Sequence, residues 1–207
     1  QFNKPVLTIG SFDGVHHGHK AILNKVASRA KAIGGESILI TFDPHPRKII
    51  QPGQHLGLLN APEQKLALIS RSGIDHIVVV PFSRAFSLMS AEEYIDDFLW
   101  KNFHPHTIVL GYDHHFGHSR EGDIQLLKEK LGTKVQIAEI PPQLVDDAAV
   151  SSSKIRRALL EGNVELATEM LEQPFCLSGT VIHGEKLGRK LGFPTANLQL
   201  DFPDILI

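Results

Sequence analysis

Five short apolar runs, each followed by a turn and then by helical periodicity, constrain this chain more than any other feature. They are Val6–Ile9, Glu36–Phe42, Ile77–Val80, Thr107–Leu110 and Val135–Ile140. Runs of this length, rich in Val and Ile, read as buried strands. Between them Ile22, Leu23, Val26 and Ala30 recur at spacings of three and four, as do Tyr94, Ile95, Phe98 and Leu99. Strand and helix in alternation predict an α/β chain built on a doubly wound parallel sheet. Val135–Ile140 alternates and predicts an edge strand that Pro141-Pro142 ends. Such sheets place ligands at the carboxyl ends of their strands.

The first of those ends is the most informative. Thr8 to His19 reads Thr-Ile-Gly-Ser-Phe-Asp-Gly-Val-His-His-Gly-His. Gly10 and Gly14 permit sharp bends and close approach of a ligand. His16 and His19, three residues apart at a helix start, face one way. A helix N-terminus offers unpaired amides and partial positive charge, which suits phosphate. The plainer alternative is a glycine-rich turn with surface histidines. A Walker loop is excluded, because no Gly-Lys-Ser/Thr follows. The dinucleotide fingerprint fails on glycine spacing.

The next strand runs into Asp43-Pro44-His45-Pro46, a turn that two prolines stiffen against helix. Asn60-Ala61-Pro62-Glu63 reads as a helix start, and Ser90-Ala91-Glu92-Glu93 as a capping box. The fourth strand delivers Gly111-Tyr112-Asp113-His114-His115-Phe116-Gly117 to the same edge. Its histidines, with His118 and Asp113, raise a metal site as an alternative, which clustering within one loop disfavours. Asp123 caps the helix that follows. Ser151, Ser152 and Ser153 precede another helix, whose buried face reads as Ile155, Leu159 and Leu160. Serine caps are common, yet three hydroxyls, free amides and Arg156 also make an anion site.

Two of these strings resemble the signatures of the nucleotidylyltransferase superfamily. His-x-Gly-His follows the first strand, and Ser-Ser-Ser-x-x-Arg follows the fifth. The longer string Gly-Ser-Phe-Asp-Gly-Val-His-His-Gly-His resembles the bacterial bifunctional riboflavin kinase/FAD synthetase family, in its FMN adenylyltransferase module. The resemblance implies a Rossmann-like domain and adenylyl transfer from ATP to FMN. It implies His16, His19 and Arg156 as catalytic residues. It implies Gly10, Ser11, Phe12, Gly14, Gly18, Ser151, Ser152 and Ser153 as ATP-binding. Pro44, His45, Pro46, Asp113 and Phe116 would border the flavin, with His114 standing where the family has a phenylalanine.

Pro174 marks a change of period. Cys176–Ile182 reads as a β-strand, followed by the glycine-rich loop His183–Asn197. This resembles the opening of the riboflavin kinase module, a small β-barrel. There Gly184, Lys186, Gly188 and Arg189 would cover ATP phosphate, and Thr195 and Asn197 would help hold Mg²⁺. The expected domains are therefore 1–173, the transferase, and 174–207, the start of the kinase. Those last ~34 residues fall below the ~40 at which a lone domain needs extra help, so this stretch alone is not expected to phosphorylate riboflavin. The chain opens at Gln1 and stops within a patterned region, which reads as a piece of a longer protein.

Composition narrows the partners. Net charge is −2 without a long basic run, so attraction to nucleic acid or an anionic membrane is not indicated. No apolar run approaches the ~20 residues of a membrane span, and no signal peptide opens the chain. The lone Cys176 cannot form an internal disulfide, which fits the cytoplasm. The expected partners are small molecules: ATP, FMN, FAD and riboflavin. Rival readings are a His-x-Gly-His enzyme acting on pantetheine phosphate, nicotinate mononucleotide or choline phosphate, and a flavin- or nucleotide-binding module without turnover. The Phe-Asp-Gly-Val context and the 179–197 segment disfavour the first rival; intact His16, His19 and Arg156 disfavour the second.

Overall fold

The structure is a computed structural model, and it describes residues 1–141 and 150–207. Pro142 of the expected Pro141-Pro142 stop lies outside the described residues. Five strands form one parallel sheet: β1 (Val6–Ile9), β2 (Ser37–Asp43), β3 (His76–Pro81), β4 (Thr107–Gly111) and β5 (Gln136–Ile140), in the order β3-β2-β1-β4-β5. The chain leaves β1 toward β2 and β3, then returns to the other side of β1 for β4. The strand order reverses between β1 and β4, so the ligand crevice of such a sheet opens there.

Side-chain alternation explains why the central strands read as continuous apolar runs. Leu7, Ile38, Ile40, Ile108 and Leu110 face one layer, which holds Tyr94, Ile95, Leu99 and Leu127. Val6, Leu39 and Val109 face the other, against Ile22, Leu23, Val26 and Ala30 of the first helix, His17–Ile33. That helix ends at Gly34, in the left-handed conformation a glycine C-cap supplies. The capping box at Ser90 and Glu93 is present, and the helix it opens continues as a π-helical segment, Tyr94–Trp100. Asn102 Nδ2 donates to the carbonyls of Asp97 and Phe98, both at 2.8 Å, completing the ladder there.

Three expectations are corrected. β3 is an edge strand of the sheet rather than a buried one, and Val79 is exposed, because among the described residues no element packs over that side chain. Helix is not forbidden at the second proline: Pro46–Ile50 is helical from Pro46 itself. Proline is tolerated there because the first helical N–H has no intrahelical partner to lose. In the helix Ser152–Leu160, Ile155 and Ala158 form the buried face, with Leu159 half-buried and Leu160 exposed. A third core cluster joins Ile155 and Ala158 to Ala167, Met170 and Leu171 of the helix Val164–Leu171, and to Leu59 and Leu206.

After Pro174, β6 (Gly179–Ile182) pairs antiparallel with β7 (Asn197–Leu200). The expected strand over 176–182 is therefore shorter, beginning where the β7 partner begins. The chain end does not stand apart from the first domain. Leu58 N–H donates to the Asp204 carbonyl at 2.8 Å, and Leu206 N–H to the Leu58 carbonyl at 2.9 Å. Ile205 and Leu206 are buried by this contact.

Candidate active site

The turn from β1 to the first helix is built from strained backbone. Phe12, Gly14 and Val15 all take positive φ, at 51°, 91° and 42°. A β-branched residue there costs on the order of 1–3 kcal/mol, which surrounding structure must over-determine. At Gly14 the positive φ would strain a side chain, and an added Cβ would lie 2.7 Å from the Leu59 side chain. The strain delivers two imidazoles face to face. His16 is the helix N-cap, and its ring stacks on His19 with centroids 3.7 Å apart and planes 20° apart. Phe12 backs His19 at 4.7 Å. Burial, with His16 and Lys65 nearby, holds the His19 pKa well below the usual histidine value. His19 is thus a neutral imidazole, and its Nδ1 is buried with no hydrogen-bond partner among the described residues.

Beneath the histidines lies a charged hub. Asp13 is buried, and its Oδ1 accepts from the amides of Leu59 at 3.0 Å and Asn60 at 3.3 Å. Its Oδ2 accepts from Arg156 Nη2. Arg156 Nε donates to the Gly57 carbonyl at 2.7 Å, and Ser152 Oγ to the Asp13 carbonyl at 2.9 Å. Burial raises the Asp13 pKa, opposed by Arg156, the two amides and Lys65. The two sequence signatures are therefore one site, joined across the β1–β4 crevice. Arginine has five donors, so Arg156 can hold Asp13 and Gly57 and still offer others to a phosphate. Ser151 caps its helix by accepting from Lys154 N–H at 3.2 Å, and Ser153 is exposed.

The other predicted residues divide. His45 comes to the same centre: it caps the Pro46–Ile50 helix, between Pro44 (after a cis Asp43–Pro44 bond) and Pro46. Its pKa is lowered to about 3, first by burial and then by Arg156, Lys65, Arg47 and Lys48. Phe116 is a core residue, stacked on Tyr94 at 4.9 Å, while Asp113 is exposed on its loop. His114 keeps a buried Nε2 without a partner among the described residues, and burial lowers its pKa to about 4. Among the described residues no group of three or more histidine, cysteine, aspartate or glutamate side chains is arranged to hold a metal ion.

A second cleft, of about 300 Å³, lies where the end of β6 and the start of β7 meet the loop that connects them. Gly184, Lys186, Arg189, Thr195 and Asn197 line it. Close approach marks two glycines of this loop: a Cβ on Gly184 would lie 2.3 Å from Asn197 Nδ2, and one on Gly188 2.3 Å from the Phe193 carbonyl oxygen and 3.0 Å from Thr195 Oγ1. Thr195 and Asn197 present hard oxygen donors of the kind Mg²⁺ takes, in a cradle that any larger residue would fill.

Two site residues escaped sequence reasoning. Asp13 sat inside a quoted motif without a role. Lys65 lies on the polar side of an ordinary amphipathic pattern, and nothing in its neighbours marks it.

Residues 1–154 match the FAD synthetase family and residues 171–206 the riboflavin kinase family. A bifunctional riboflavin kinase/FMN adenylyltransferase of Escherichia coli strain K12 is 36% identical over 197 residues, covering 94% of this chain and 63% of that protein. The protein of the same name from Buchnera aphidicola subsp. Schizaphis graminum is 39% identical over the same coverage. A crystal structure titled as a macrolide-efflux protein from Streptococcus pneumoniae superposes with a TM-score of 0.85 at 29% identity, over 97% of this chain and 65% of that one. The chain thus spans 63% of the length of these curated relatives.

Proposed function

The chain belongs to the FAD synthetase family, and from that premise we propose that it transfers the adenylyl group of ATP to FMN, giving FAD and pyrophosphate. The observation that carries this reading is the Asp13–Arg156 hub, which brings the His16/His19 turn and the Ser151–Arg156 helix start to one crevice. An FMN phosphate oxygen attacks the α-phosphorus of ATP. The new P–O bond forms as the bond to the β-phosphate oxygen breaks, and pyrophosphate leaves with that electron pair. The nucleophile is already an anion, so positioning and charge stabilisation are the chemistry the protein must supply.

His16 and neutral His19 donate to phosphate oxygens as charge develops. Gly10, Ser11, Phe12, Gly14 and Gly18 let the backbone approach the triphosphate. Ser151, Ser152, Ser153 and Arg156 hold the leaving pyrophosphate. Pro44, His45 and Pro46 border the flavin, with Asp113 and Phe116 shaping the neighbouring loop. Mg²⁺ supplies charge neutralisation when bound. On the second module, residues Gly184, Lys186, Gly188 and Arg189 cover ATP phosphate, and Thr195 and Asn197 hold the ion, for phosphorylation of riboflavin to FMN by the whole protein. No helix of the described residues is long and apolar enough to cross a membrane. The exposed free Cys176 fits a reducing compartment such as the cytoplasm.

The test incubates the protein with ATP, Mg²⁺ and either FMN or riboflavin and identifies products by chromatography. FAD and pyrophosphate from FMN support the reading; bound flavin without pyrophosphate release overturns it in favour of a binding module.

Arg156→Lys is expected to impair FAD formation more than Arg157→Lys. Arg156 makes two directional bonds at once, to Asp13 and Gly57, which an ammonium cannot reproduce as a fork. Arg157 is exposed. Steady-state kinetics on the two variants decide it, and a larger defect at Arg157 moves the role by one residue.

We place the domain boundary near Pro174. A chain of residues 1–173 is expected to make FAD but to melt several degrees lower. It loses the cover that Leu206 gives Leu59, and a buried leucine is worth about 2–5 kcal/mol. Folded but inactive protein means the later segment belongs to the transferase site.

A further inference from the structure

Lys65 is an expensive residue where it stands. It lies on the helix Pro62–Ser70 and turns its ammonium into the centre of the site. Its Nζ donates to the Ser11 carbonyl at 3.3 Å, to Thr41 Oγ1 at 3.2 Å and to the Phe42 carbonyl at 3.2 Å. An ammonium has three donors, so this protein socket uses all of them. Thr41 Oγ1 in turn donates to the Ser11 carbonyl at 3.2 Å. Lysine, threonine and the Ser11 carbonyl form a closed triangle between the strained turn and the end of β2. Asp13 and Asp43 act on the ammonium from a distance, and burial lowers its pKa against their pull. Among the described residues no carboxylate forms an ion pair with Lys65.

A half-buried charge held by neutral dipoles, with carboxylates only at a distance, is destabilising unless something compensates it. The same part of the site holds Arg156, whose charge Asp13 balances, and His19, whose imidazole burial keeps neutral. Among the described residues Lys65 has no carboxylate in contact to balance it. A triphosphate and an FMN phosphate bring the missing negative charge, and the transition state concentrates it. A fixed cation in a low-dielectric site acts on that charge without reorganising.

Resting on the adenylyl-transfer reading, we propose that Lys65 is a positioning residue for that reaction. It fastens the Ser11 turn to the end of β2 and holds a fixed positive charge behind His16 and His19. It acts through the turn rather than by touching the phosphates, since its donors are already engaged.

The test replaces Lys65 with Met, close in size and uncharged, and with Gln, which keeps donors but no charge. Removing a half-buried charge with no carboxylate in contact should leave the melting temperature unchanged or raise it. The kcat for FAD formation should fall roughly ten- to a hundredfold, with KM for ATP changing about threefold or less. A purely structural lysine would give the opposite pattern: a lower melting temperature with kcat preserved in the folded fraction. Rescue provides the second readout. Lys65→Cys in a Cys176→Ser background, alkylated with 2-bromoethylamine, restores an ammonium at nearly the original length and should recover most of kcat. If Lys65→Met does not fold, the Gln variant and the Cys pair before and after alkylation decide. A folded uncharged variant with kcat within threefold of wild type overturns the inference, as does alkylation without recovery. Wild-type protein that forms no FAD would instead refute the adenylyl-transfer reading itself.

Discussion

His19→Ala is expected to lower FAD formation on the order of a hundred- to a thousandfold while leaving the melting temperature close to wild type. The size follows from the loss of one preorganised donor at a developing oxyanion. The small stability effect follows from the packing. His19 is a neutral ring against Phe12 and His16, with a buried Nδ1 that no described group satisfies. Removing it relieves one unmet polar atom while losing two ring contacts, and these oppose each other. Turnover within threefold of wild type, on protein with unchanged melting, would remove His19 from the reaction. The acid side of the rate profile carries a second check. Protonating His19 is opposed by burial, His16 and Lys65, so the imidazole stays neutral well below its ordinary titration range. Activity should therefore show no fall attributable to His19 near the ordinary histidine pKa of about 6.5.

Asp13→Asn is expected to damage stability and activity together. The substitution keeps size and leaves an oxygen for the Leu59 and Asn60 amides. It removes the charge that Arg156 needs, and the side chain of Arg156 is only 11% exposed. Breaking a buried pair from one side costs about 3–5 kcal/mol, because the other charge is left uncompensated. For a chain of this size that corresponds to a fall of roughly 10 °C in melting temperature. The double variant Asp13→Asn, Arg156→Leu should recover part of that loss without recovering activity, since the uncompensated charge is gone but the phosphate-holding group is too. Thermal melts of the three proteins decide the matter. A single variant that melts within 2 °C or so of wild type would mean the pair is not effectively buried.

The limits of sequence reasoning follow the range of the forces involved. The strands and most helix starts were legible because they depend on neighbours. Alternating burial on two faces turns Ser37–Asp43 into a continuous apolar run. Ser90, Asp123 and Ser151 cap helices through bonds three residues long. The pairing of His16 with His19 was legible too, since one helical turn fixes their spacing. Pro46 and Leu160 were misread for a related reason. A rule about proline in helices takes a different sign at the first position, and an apolar residue is buried only if something packs over it.

The charged centre was beyond reach. Asp13 and Arg156 are 143 residues apart, in a chain with 21 Lys and Arg against 23 Asp and Glu. Nothing local selects that pair from the others. Lys65 looks like any solvated helix lysine until the sheet order sets its helix beside the ends of β1 and β2. The tail that covers Leu58 and Leu59 joins residues almost 150 positions apart. The alternation, a glycine-bearing turn after the first strand and the facing histidines are legible in the sequence, because each is a matter of backbone conformation within a few residues. The pairing of Asp13 with Arg156 and the placing of Lys65 against Ser11 come from the folded chain and not from local sequence. Burial turns an ordinary surface charge into one whose energy depends on a single partner, and burial is set by how the whole sheet and its loops pack.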